Sequence, residues 1–316
     1  MPIITLPDGT ELSYDDPVTA LEVAGDIGAR LAQQALGCKV DGVLSDLSTE
    51  LAGDCSLSIV TPNNREGEPD PDALYLLRHS CAHVMAEAIQ RVFEGVELVY
   101  GPPVDQGFYY DMAVPADRPV SSEDFEAIEK EMAAIIKEDR PFCRYEVAGA
   151  EGIGKLKDEG NKYKLDNAQR ALEADSEAPL SFYATGEPGK NWEDLCRGPH
   201  VPSTGRIGGF KVMSVASSYW RGDETSDNLT RIYGVAFYKK KELNRHLARL
   251  EEARKRDHRV IGRNMRLFHI DETVGQGLIL WTPRGSVIRQ ELQDFIGEEL
   301  RKQGYSQVFT PHIGKL

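Results

Sequence analysis

The stretch Arg78-His79-Ser80-Cys81-Ala82-His83 has helical periodicity and places two histidines four residues apart, on one face of the predicted helix. An apolar stripe follows the opposite face of that helix, and it consists of Leu77, Cys81, Val84, Met85, Ala88 and Val92. The pattern therefore disfavours a pair of core histidines. It favours either two ordinary surface histidines or a pair that faces a cleft.

A second stretch, Asp194-Leu195-Cys196-Arg197-Gly198-Pro199-His200, favours the cleft. Its Gly and Pro predict a tight turn between a thiol and another imidazole. Combined, His-x3-His and Cys-x3-His supply four side chains of the types that zinc prefers. A dense proton-transfer and hydrogen-bonding cluster without metal would use the same side chains. The spacing predicts that the four side chains lie together and leaves the metal open.

The composition is that of an ordinary globular protein. The chain has 316 residues, of which 41% are hydrophobic and 28% charged, so it can form two or more domains. No apolar run approaches the roughly 20 residues of a membrane span. The N-terminus lacks the basic-then-apolar pattern of a secretory signal. We therefore expect a cytoplasmic protein with no membrane partner. The few cysteines are predicted to be reduced thiols: Cys38, Cys55, Cys81, Cys143 and Cys196.

Charge is distributed unevenly along the chain. The formal net charge of −14 argues against non-specific nucleic-acid binding by the chain as a whole. Residues 1–70 carry 13 acidic and 3 basic side chains, whereas residues 239–266 carry 11 basic and 4 acidic ones. A polyanion would therefore be bound by the second half of the chain. A basic helix of this kind is as often a solvated surface as a nucleic-acid contact, so both interpretations stay open.

The first 63 residues predict a small mixed domain. Residues 3–6 and 11–14 are typical strands around the turn Pro7-Asp8-Gly9, and Thr19 with Glu22 forms a capping box that begins a helix. Asp41-Gly42 predicts a further hairpin turn, and residues 56–61 a closing strand. The unit resembles the TGS domain, a β-grasp module, most closely at Leu6-Pro7-Asp8-Gly9. A generic ubiquitin-like domain would show the same pattern of strands.

A second, α+β domain is predicted after a polar linker over 63–71. Asp70 caps the helix that carries the two histidines, with Pro71 at its first position. The lysines of 161–165 are predicted to be solvated surface charges. The aromatic run 107–111 is more typical of a core than of a site. The remaining elements of a largely antiparallel domain are a helix over 123–138 and strands over 98–100, 108–110, 142–147, 180–184, 191–196, 210–219 and 229–237.

The last third of the chain predicts a long helix over 239–263 and then the start of another unit. That unit has an amphipathic helix over 285–301 and a strand over 305–310 that stops at Pro311. The pattern does not complete a domain by residue 316, so we expect a partial sequence of a longer parent.

The motifs, taken in order, resemble those of bacterial threonyl-tRNA synthetase. The resemblance covers the whole chain and implies a TGS domain (1–63), an editing domain (64–238), a basic linker helix (239–266) and a truncated class II catalytic domain with motif 1 (267–316). The matching stretches are the TGS-like start, His79-Ser-Cys-Ala-His83, Gly107-Phe-Tyr-Tyr-Asp111, Cys196-Arg-Gly-Pro-His200, Ser218-Tyr-Trp-Arg-Gly-Asp223 and Arg256-Asp-His-Arg259.

The resemblance also implies a function for the second domain, the hydrolysis of serine misattached to tRNA(Thr). The expected partners are the acceptor end of tRNA(Thr) and its seryl or threonyl group, and the full-length parent is expected to be a homodimer. Motifs 2 and 3, the zinc site that selects threonine and the anticodon-binding domain are missing from the sequence. We therefore expect this chain to bind neither ATP nor the catalytic zinc, and not to charge tRNA.

By position, the editing residues implied by the resemblance are His79, His83, Tyr110, Lys164, Asp194, Cys196 and His200. We expect Lys164 near the terminal adenosine hydroxyls, with its charge favouring the oxyanion, while Asp194 and His79 orient water or the serine amine. Cys196, His83 and His200 would line the pocket. Editing is expected to need no cofactor; the alternative is a zinc ion on His79, His83, Cys196 and His200. The predicted tRNA contacts are Lys164, Arg197, Lys239, Lys240 and Arg256.

Two other functions fit parts of the sequence. A zinc-dependent hydrolase of another ester would use the four ligands but leaves the TGS-like domain and the basic helix unexplained. A non-catalytic fragment that binds tRNA or a partner would use the basic helix, and its binding would survive mutation of His79, His83 and Cys196.

Overall fold

A computed structural model describes residues 1–64 and 66–311 of this α+β chain. Arg65, in the predicted linker, and residues 312–316, at the end of the predicted catalytic segment, lie outside the described residues. The chain divides into two compact units, Met1–Asn244 and Arg245–Leu316. The predicted domain boundaries at 63, 238 and 266 stay predictions. Within the described residues, no helix is long and apolar enough to cross a membrane.

The first domain is a mixed sheet covered by two helices. The main sheet has the order β2-β1-β7-β4-β5, in which β1 runs parallel to β7 and the other pairs are antiparallel. The predicted capping box is confirmed at the start of α1. The Glu22 backbone N–H donates to the Thr19 hydroxyl, and the Thr19 backbone N–H donates to the Glu22 carboxylate. The elements are β1 (Ile3–Thr5), β2 (Glu11–Ser13), β3 (Val18–Thr19), α1 (Ala20–Ile27), α2 (Ala29–Gln34), β4 (Gly37–Val40), β5 (Val43–Ser45), β6 (Glu50–Leu51) and β7 (Cys55–Val60).

The second domain is built around helix α3 (Pro71–Val92). Asp70 caps it as predicted, accepting hydrogen bonds from the backbone of Asp72 and Ala73. Every residue from His79 to Ile89 is buried. The alternative of two ordinary surface histidines was therefore wrong, and so was the argument against a buried pair. The apolar face packs on the sheet, and the opposite face is covered by the loop that contains His200 and by the first domain.

Two antiparallel sheets complete the second domain. One has the order β14-β15-β10-β8, with β9 beside β10, and the other has the order β11-β12-β13. Ser121 caps the turn that leads into α4. The elements are β8 (Glu97–Tyr100), β9 (Pro103–Val104), β10 (Gly107–Ala113), α4 (Phe125–Lys137), β11 (Phe142–Val147), α5 (Gly149–Glu159), α6 (Lys162–Ala174), β12 (Leu180–Thr185), β13 (Glu193–Leu195), β14 (Gly209–Tyr219) and β15 (Asn228–Phe237).

The last elements differ from the prediction in two places. The long helix ends early, as α7 (Lys240–Lys255), because the Asp257 side chain caps a separate helix, α8 (His258–Asn264). Strand β16 (Phe268–Ile270) pairs with β17 (Ile279–Trp281), and α9 (Pro283–Lys302) follows as predicted. Residues 305–310 form no strand, since no strand of the described part of the chain pairs with them.

Candidate functional site

The predicted site residues come from five elements and meet around one cavity. Helix α3 supplies His79 and His83, β10 supplies Tyr110, and α6 supplies Lys164. Strand β13 supplies Asp194, and the turn that follows it supplies Cys196 and His200. The cavity has a volume of about 270 Å³, and all of these side chains except His200 line it. His200 lies behind His79, with the two rings stacked at 4.2 Å between centroids.

A buried ion pair lies at one side of the cavity. The Lys164 Nζ is 2.6 Å from one Asp194 oxygen, and the Tyr110 hydroxyl donates to the other at 2.5 Å. Lys164 also donates to the Tyr110 oxygen at 3.0 Å. The prediction of solvated lysines over 161–165 was therefore wrong for Lys164, which is 4% exposed. The first turn of α6 directs it toward Asp194, while Lys162 stays on the surface.

These contacts keep Asp194 ionised. Burial raises the pKa of its carboxyl, but the Lys164 charge and the hydrogen bonds from Lys164 and Tyr110 outweigh burial and leave that pKa below its ordinary value. Burial and the adjacent carboxylate raise the pKa of Tyr110 well above its usual range. The site therefore holds one negative and one positive charge in contact, and the Tyr110 phenol is neutral.

On the other side, two imidazoles converge on the Cys196 thiol. The Nδ1 of His79 donates to the Pro199 carbonyl at 3.1 Å, so its Nε2 carries a lone pair, 3.3 Å from Cys196 Sγ. The Ser80 hydroxyl donates to the Leu76 carbonyl and so accepts from His200 Nδ1 at 3.1 Å. The Nε2 of His200 therefore also presents a lone pair, 3.5 Å from the same sulfur.

One thiol proton cannot satisfy both of these nitrogens. His83 Nδ1 is also buried, and it has no hydrogen-bond partner in the part of the chain that the structure describes. The four donor atoms of His79, His83, Cys196 and His200 lie within 4.8 Å of one another. A tetrahedral zinc site needs ligand atoms about 3.3–3.8 Å apart, as its bond lengths imply. The donor set therefore fits a metal ion in chemistry and, after a small contraction, in spacing.

Burial keeps this half of the site uncharged. It lowers the pKa of His79 to about 4 and that of His83 to about 3, and it lowers the pKa of His200 well below its usual value. Burial raises the pKa of the Cys196 thiol to about 12. At neutral pH the three imidazoles are neutral, and in the absence of a metal the thiol keeps its proton.

A larger cavity of about 810 Å³ adjoins the small one. The two cavities share five lining residues, which are Tyr100, Lys164, Leu195, Cys196 and Arg197. The larger cavity extends between α6 and the start of β12, and its lining includes Ala168, Leu172 and Leu180. Lys164 therefore lies at the junction of a small polar space and a wider, more apolar one.

The predicted tRNA contacts do not all lie at this site. Lys164 and Arg197 line the cavities, whereas Lys239 and Lys240 are exposed near the start of α7. Arg256, in the unit Arg245–Leu316, is exposed and forms an ion pair with Glu252. Three further side chains support the turn between Cys196 and His200 and were not predicted, namely Ser80, Asp46 and Tyr183. Ser80 could have been found from its position between the two histidines. No local pattern pointed to Asp46 or Tyr183.

Comparisons with known proteins agree with this architecture. The TGS domain model matches residues 2–61, and the model of the threonyl and alanyl tRNA synthetase second additional domain matches residues 180–233. The chain is 44% identical over 313 residues to the threonine–tRNA ligase of Nitrosococcus oceani, a match that covers 99% of this chain and 46% of that protein. It is 43% identical over 321 residues to the threonine–tRNA ligase of Thermus thermophilus, covering 99% of this chain and 47% of that enzyme.

The chain thus spans about half the length of the curated relatives that it matches. Two family models match parts of its two domains, and the alignment with a threonine–tRNA ligase covers 99% of its residues. The chain is therefore homologous to the N-terminal part of threonine–tRNA ligases, with a TGS domain followed by the editing-type domain that threonyl- and alanyl-tRNA synthetases share.

Proposed function

We propose that this chain hydrolyses seryl-tRNA(Thr). The observation that carries the proposal is that the seven predicted editing residues form one buried polar cluster with a cavity in front of it. These residues are up to 121 positions apart in the sequence. A set of surface side chains that only bound RNA would not need a buried ion pair and three neutral imidazoles around a small cavity.

The two adjoining cavities suit the two parts of such a substrate. The small one accepts the seryl group, with Asp194 and His79 within reach of its amine or of a water molecule. The larger one has the volume and the mixed lining that a terminal adenosine requires. Lys164 lies at the junction, where the ester bond joins the amino acid to the ribose.

The reaction is the attack of water on the ester carbonyl carbon. The carbonyl oxygen becomes negative in the transition state, and the Lys164 ammonium stabilises that charge at low local dielectric. Asp194 and the neutral His79 orient the water and accept a hydrogen bond from it. As the ester bond breaks, the ribose oxygen leaves and takes up the proton that the attacking water loses, relayed by the neighbouring ribose hydroxyl.

A covalent route through Cys196 is disfavoured on physical grounds. A thiol must ionise to act as a nucleophile, and burial raises the pKa of this thiol to about 12. The sulfur also accepts a hydrogen bond from the Gly198 backbone and faces two ring nitrogens. Cys196 therefore shapes the pocket rather than attacking the ester.

A hydrolytic pocket of this kind complements the limited selectivity of the site that attaches the amino acid to tRNA. The methyl group that distinguishes threonine from serine is worth only about 1–3 kcal/mol in binding, so a site that selects threonine still admits some serine. A second pocket has the easier task of excluding the larger group. Pro102 and Pro103 line the small cavity with rigid rings, which are suited to that steric exclusion.

The test is deacylation of purified seryl-tRNA(Thr), with threonyl-tRNA(Thr) alongside. We expect the chain to release serine and to spare threonine. His79→Ala should abolish hydrolysis, and His258→Ala, which removes an exposed histidine, is the matched control. Absence of hydrolysis in a folded sample that still binds tRNA would refute the proposal and favour a binding fragment.

A second candidate is a zinc-dependent hydrolase at the same cavity. Two imidazole lone pairs directed at one thiol favour it, since a cation would satisfy both nitrogens and the sulfur. His79, His83, Cys196 and His200 would hold the ion. Bound zinc would supply a Lewis acid that polarises the carbonyl or a water molecule.

The remaining expectations concern the longer parent and belong to this proposal. They include a cytoplasmic location and a homodimeric ligase whose ATP site and catalytic zinc lie outside this sequence. Lys164 and Arg197 would recognise the acceptor end of tRNA(Thr). Further tRNA contacts would come from Lys239, Lys240 and Arg256. The segment from residue 267 onward is proposed to begin a class II catalytic domain, in which α9 corresponds to the motif 1 helix.

A further inference from the structure

The turn that supplies Cys196 and His200 is held by side chains rather than by a sheet. After β13 ends at Leu195, the backbone N–H groups of Gly198, His200 and Val201 donate to Cys196 Sγ, Asp46 and Ser80 respectively. Ser80 belongs to the histidine helix, and Cys196 to the turn itself. Asp46 is the one of these three acceptors that comes from the first domain.

Asp46 is held firmly in that position. It follows β5 directly, and its carbonyl accepts a hydrogen bond from Cys38 Sγ at 3.3 Å. One carboxylate oxygen is 2.8 Å from the His200 nitrogen, and the other accepts the Tyr183 hydroxyl at 2.5 Å. The Tyr183 ring in turn packs against the His200 imidazole at 4.5 Å. The carboxylate thus fixes both the backbone of His200 and the ring that supports its side chain.

The two domains have other contacts that do not involve the turn's hydrogen bonds to Asp46. Leu36 and Val60 of the first domain pack with Leu76 of α3. Lys39 forms an ion pair with Asp72 at 2.5 Å. Docking of the domains is therefore separable from the contact with His200.

We propose that Asp46 is a positioning residue for the deacylation site, through which the TGS domain holds His200 and Gly198 in register with His79 and Cys196. This inference rests on the proposed function, and it assigns to the TGS domain a direct part in that reaction. Asp46 touches neither of the cavities, so it acts through the turn and not on the substrate.

The experiment compares single-turnover deacylation of seryl-tRNA(Thr) by the full chain and its variants. A displacement of the turn by about 1 Å should slow the chemical step about 10- to 100-fold. Asp46→Ala should show that loss with the half-saturating enzyme concentration unchanged, and Asp46→Asn, which keeps an acceptor for the His200 nitrogen, should recover most of the rate. Lys39→Ala breaks another polar contact between the domains and should match the wild type.

Tyr183→Phe gives an independent test, should Asp46→Ala fail to fold. It leaves the first domain intact and removes the donor that orients the carboxylate, so it should slow the reaction in the same way but less. Equal rates for Asp46→Ala and the wild type would overturn the inference. Equal losses in Asp46→Ala and Lys39→Ala would also overturn it, because domain docking alone would then account for the effect.

Histidine-selective 15N labelling separates this inference from the proposed function, since it needs no substrate and the chain has only 7 histidines. Asp46→Ala should shift the side-chain resonances of His200 and His79, and Lys39→Ala should not. If the wild type fails to hydrolyse the ester, the proposed function is refuted, while these shifts still support the positioning of the turn. Unchanged resonances in Asp46→Ala would overturn it.

Discussion

The contact between Lys164 and Asp194 is a buried ion pair, with 2.6 Å between the Nζ and the nearer carboxylate oxygen. Because both side chains are buried, removing one partner leaves an uncompensated charge, which costs about 3–5 kcal/mol. We expect Lys164→Met to lower the free energy of unfolding by that amount and to abolish deacylation. Urea unfolding and the deacylation rate check this.

The matched control for that substitution lies two residues earlier. Lys162 forms an ion pair with Asp227 at the same distance of 2.6 Å, but its side chain is 59% exposed. Exposed pairs contribute about 0–1 kcal/mol, so Lys162→Met should have little effect. Similar losses in both variants would contradict the role of burial.

The neutral imidazoles make the protein sensitive to acid when it is free of metal. Their pKa values are depressed in the folded state, so below the unfolded value of about 6.5 the unfolded chain binds protons that the folded chain does not. Stability is therefore retained above pH 6.5 and falls as the pH decreases toward the folded values of about 4 for His79 and about 3 for His83.

Each such histidine should contribute a slope of about 1.4 kcal/mol per pH unit below pH 6. Urea unfolding in a chelator between pH 7 and pH 4.5 should show His83→Gln with a shallower slope than the wild type. His258→Gln, an exposed control, should leave the slope unchanged. Parallel curves for His83→Gln and the wild type would contradict the burial of a neutral imidazole.

The site residues differ in how far the sequence alone could predict them. His79, His83, Cys196 and His200 have a spacing that is informative because helix and turn geometry fix it locally. The residue pattern alone placed Lys164 in solvent, because lone lysines are rarely buried, and only the family resemblance assigned it to the site. Its partner lies 30 residues away, on a strand whose packing against α6 is a property of the tertiary fold.

Among the elements, the turn after β13 has little room for change. Gly198 has a φ of +71°, and a Cβ there would lie 1.9 Å from the Tyr183 hydroxyl oxygen. Gly160, at the end of α5, has a φ of +73° and nothing within 4 Å of the same position. A left-handed non-glycine residue alone costs about 1–2 kcal/mol.

We therefore expect Gly160→Ala to cost about that amount and Gly198→Ala to cost clearly more, with loss of deacylation only in the latter. Thermal unfolding and the deacylation rate of the two variants check this. If the two alanines are equally destabilising, the close approach of Tyr183 does not restrict the turn.

A metal ion held by the four side chains would join α3 to the turn after β13. Removing metal therefore tests the zinc-dependent alternative. The proposed hydrolysis runs without a cofactor, and we expect deacylation to survive exhaustive dialysis against a chelator. Metal content, measured before and after dialysis, is the control for removal. Loss of activity that zinc restores would favour the zinc-dependent alternative.

Local signals predicted the elements well where a cap or a turn defines them. Thr19 with Glu22 and Asp70 with Pro71 begin helices as expected, since these side chains bond to the free backbone N–H groups of the first turn. Asp257 carries the same kind of signal, but the basic, helix-favouring residues around it suggested one continuous helix. The predicted strand over 305–310 needed a partner strand, which no local pattern can supply.

At the scale of the whole molecule, helix α9 has several large apolar side chains that are exposed in the part of the chain that the structure describes. Val287, Leu292 and Phe295 are each about 60% exposed. Faces of this size are rare in monomers and promote association. We expect sedimentation to show concentration-dependent self-association of the chain. The double substitution Leu292→Glu and Phe295→Glu should abolish it, while Gln290→Glu should not; equal behaviour of the two variants would contradict a role of this face.

The α+β class followed from the sequence because each predicted domain has its own pattern of caps and turns. The contact between Asp46 and His200 did not, because 154 residues separate them and only the packing of one domain on the other brings them together. Long-range polar contacts of this kind have no periodicity that a single sequence could display.

The parallel pairing of β1 with β7 has a practical consequence for handling the protein. Ile4 lies beside Cys55, at the beginning of β7, whereas the chain leaves for the second domain beyond Val60, at the other end of that strand. At about 3.3 Å per residue, these ends are separated by roughly 15–20 Å. An affinity tag or a surface tether fused to Met1 would therefore emerge at the far end of that sheet, leaving the pocket proposed for deacylation open to an immobilised-enzyme assay.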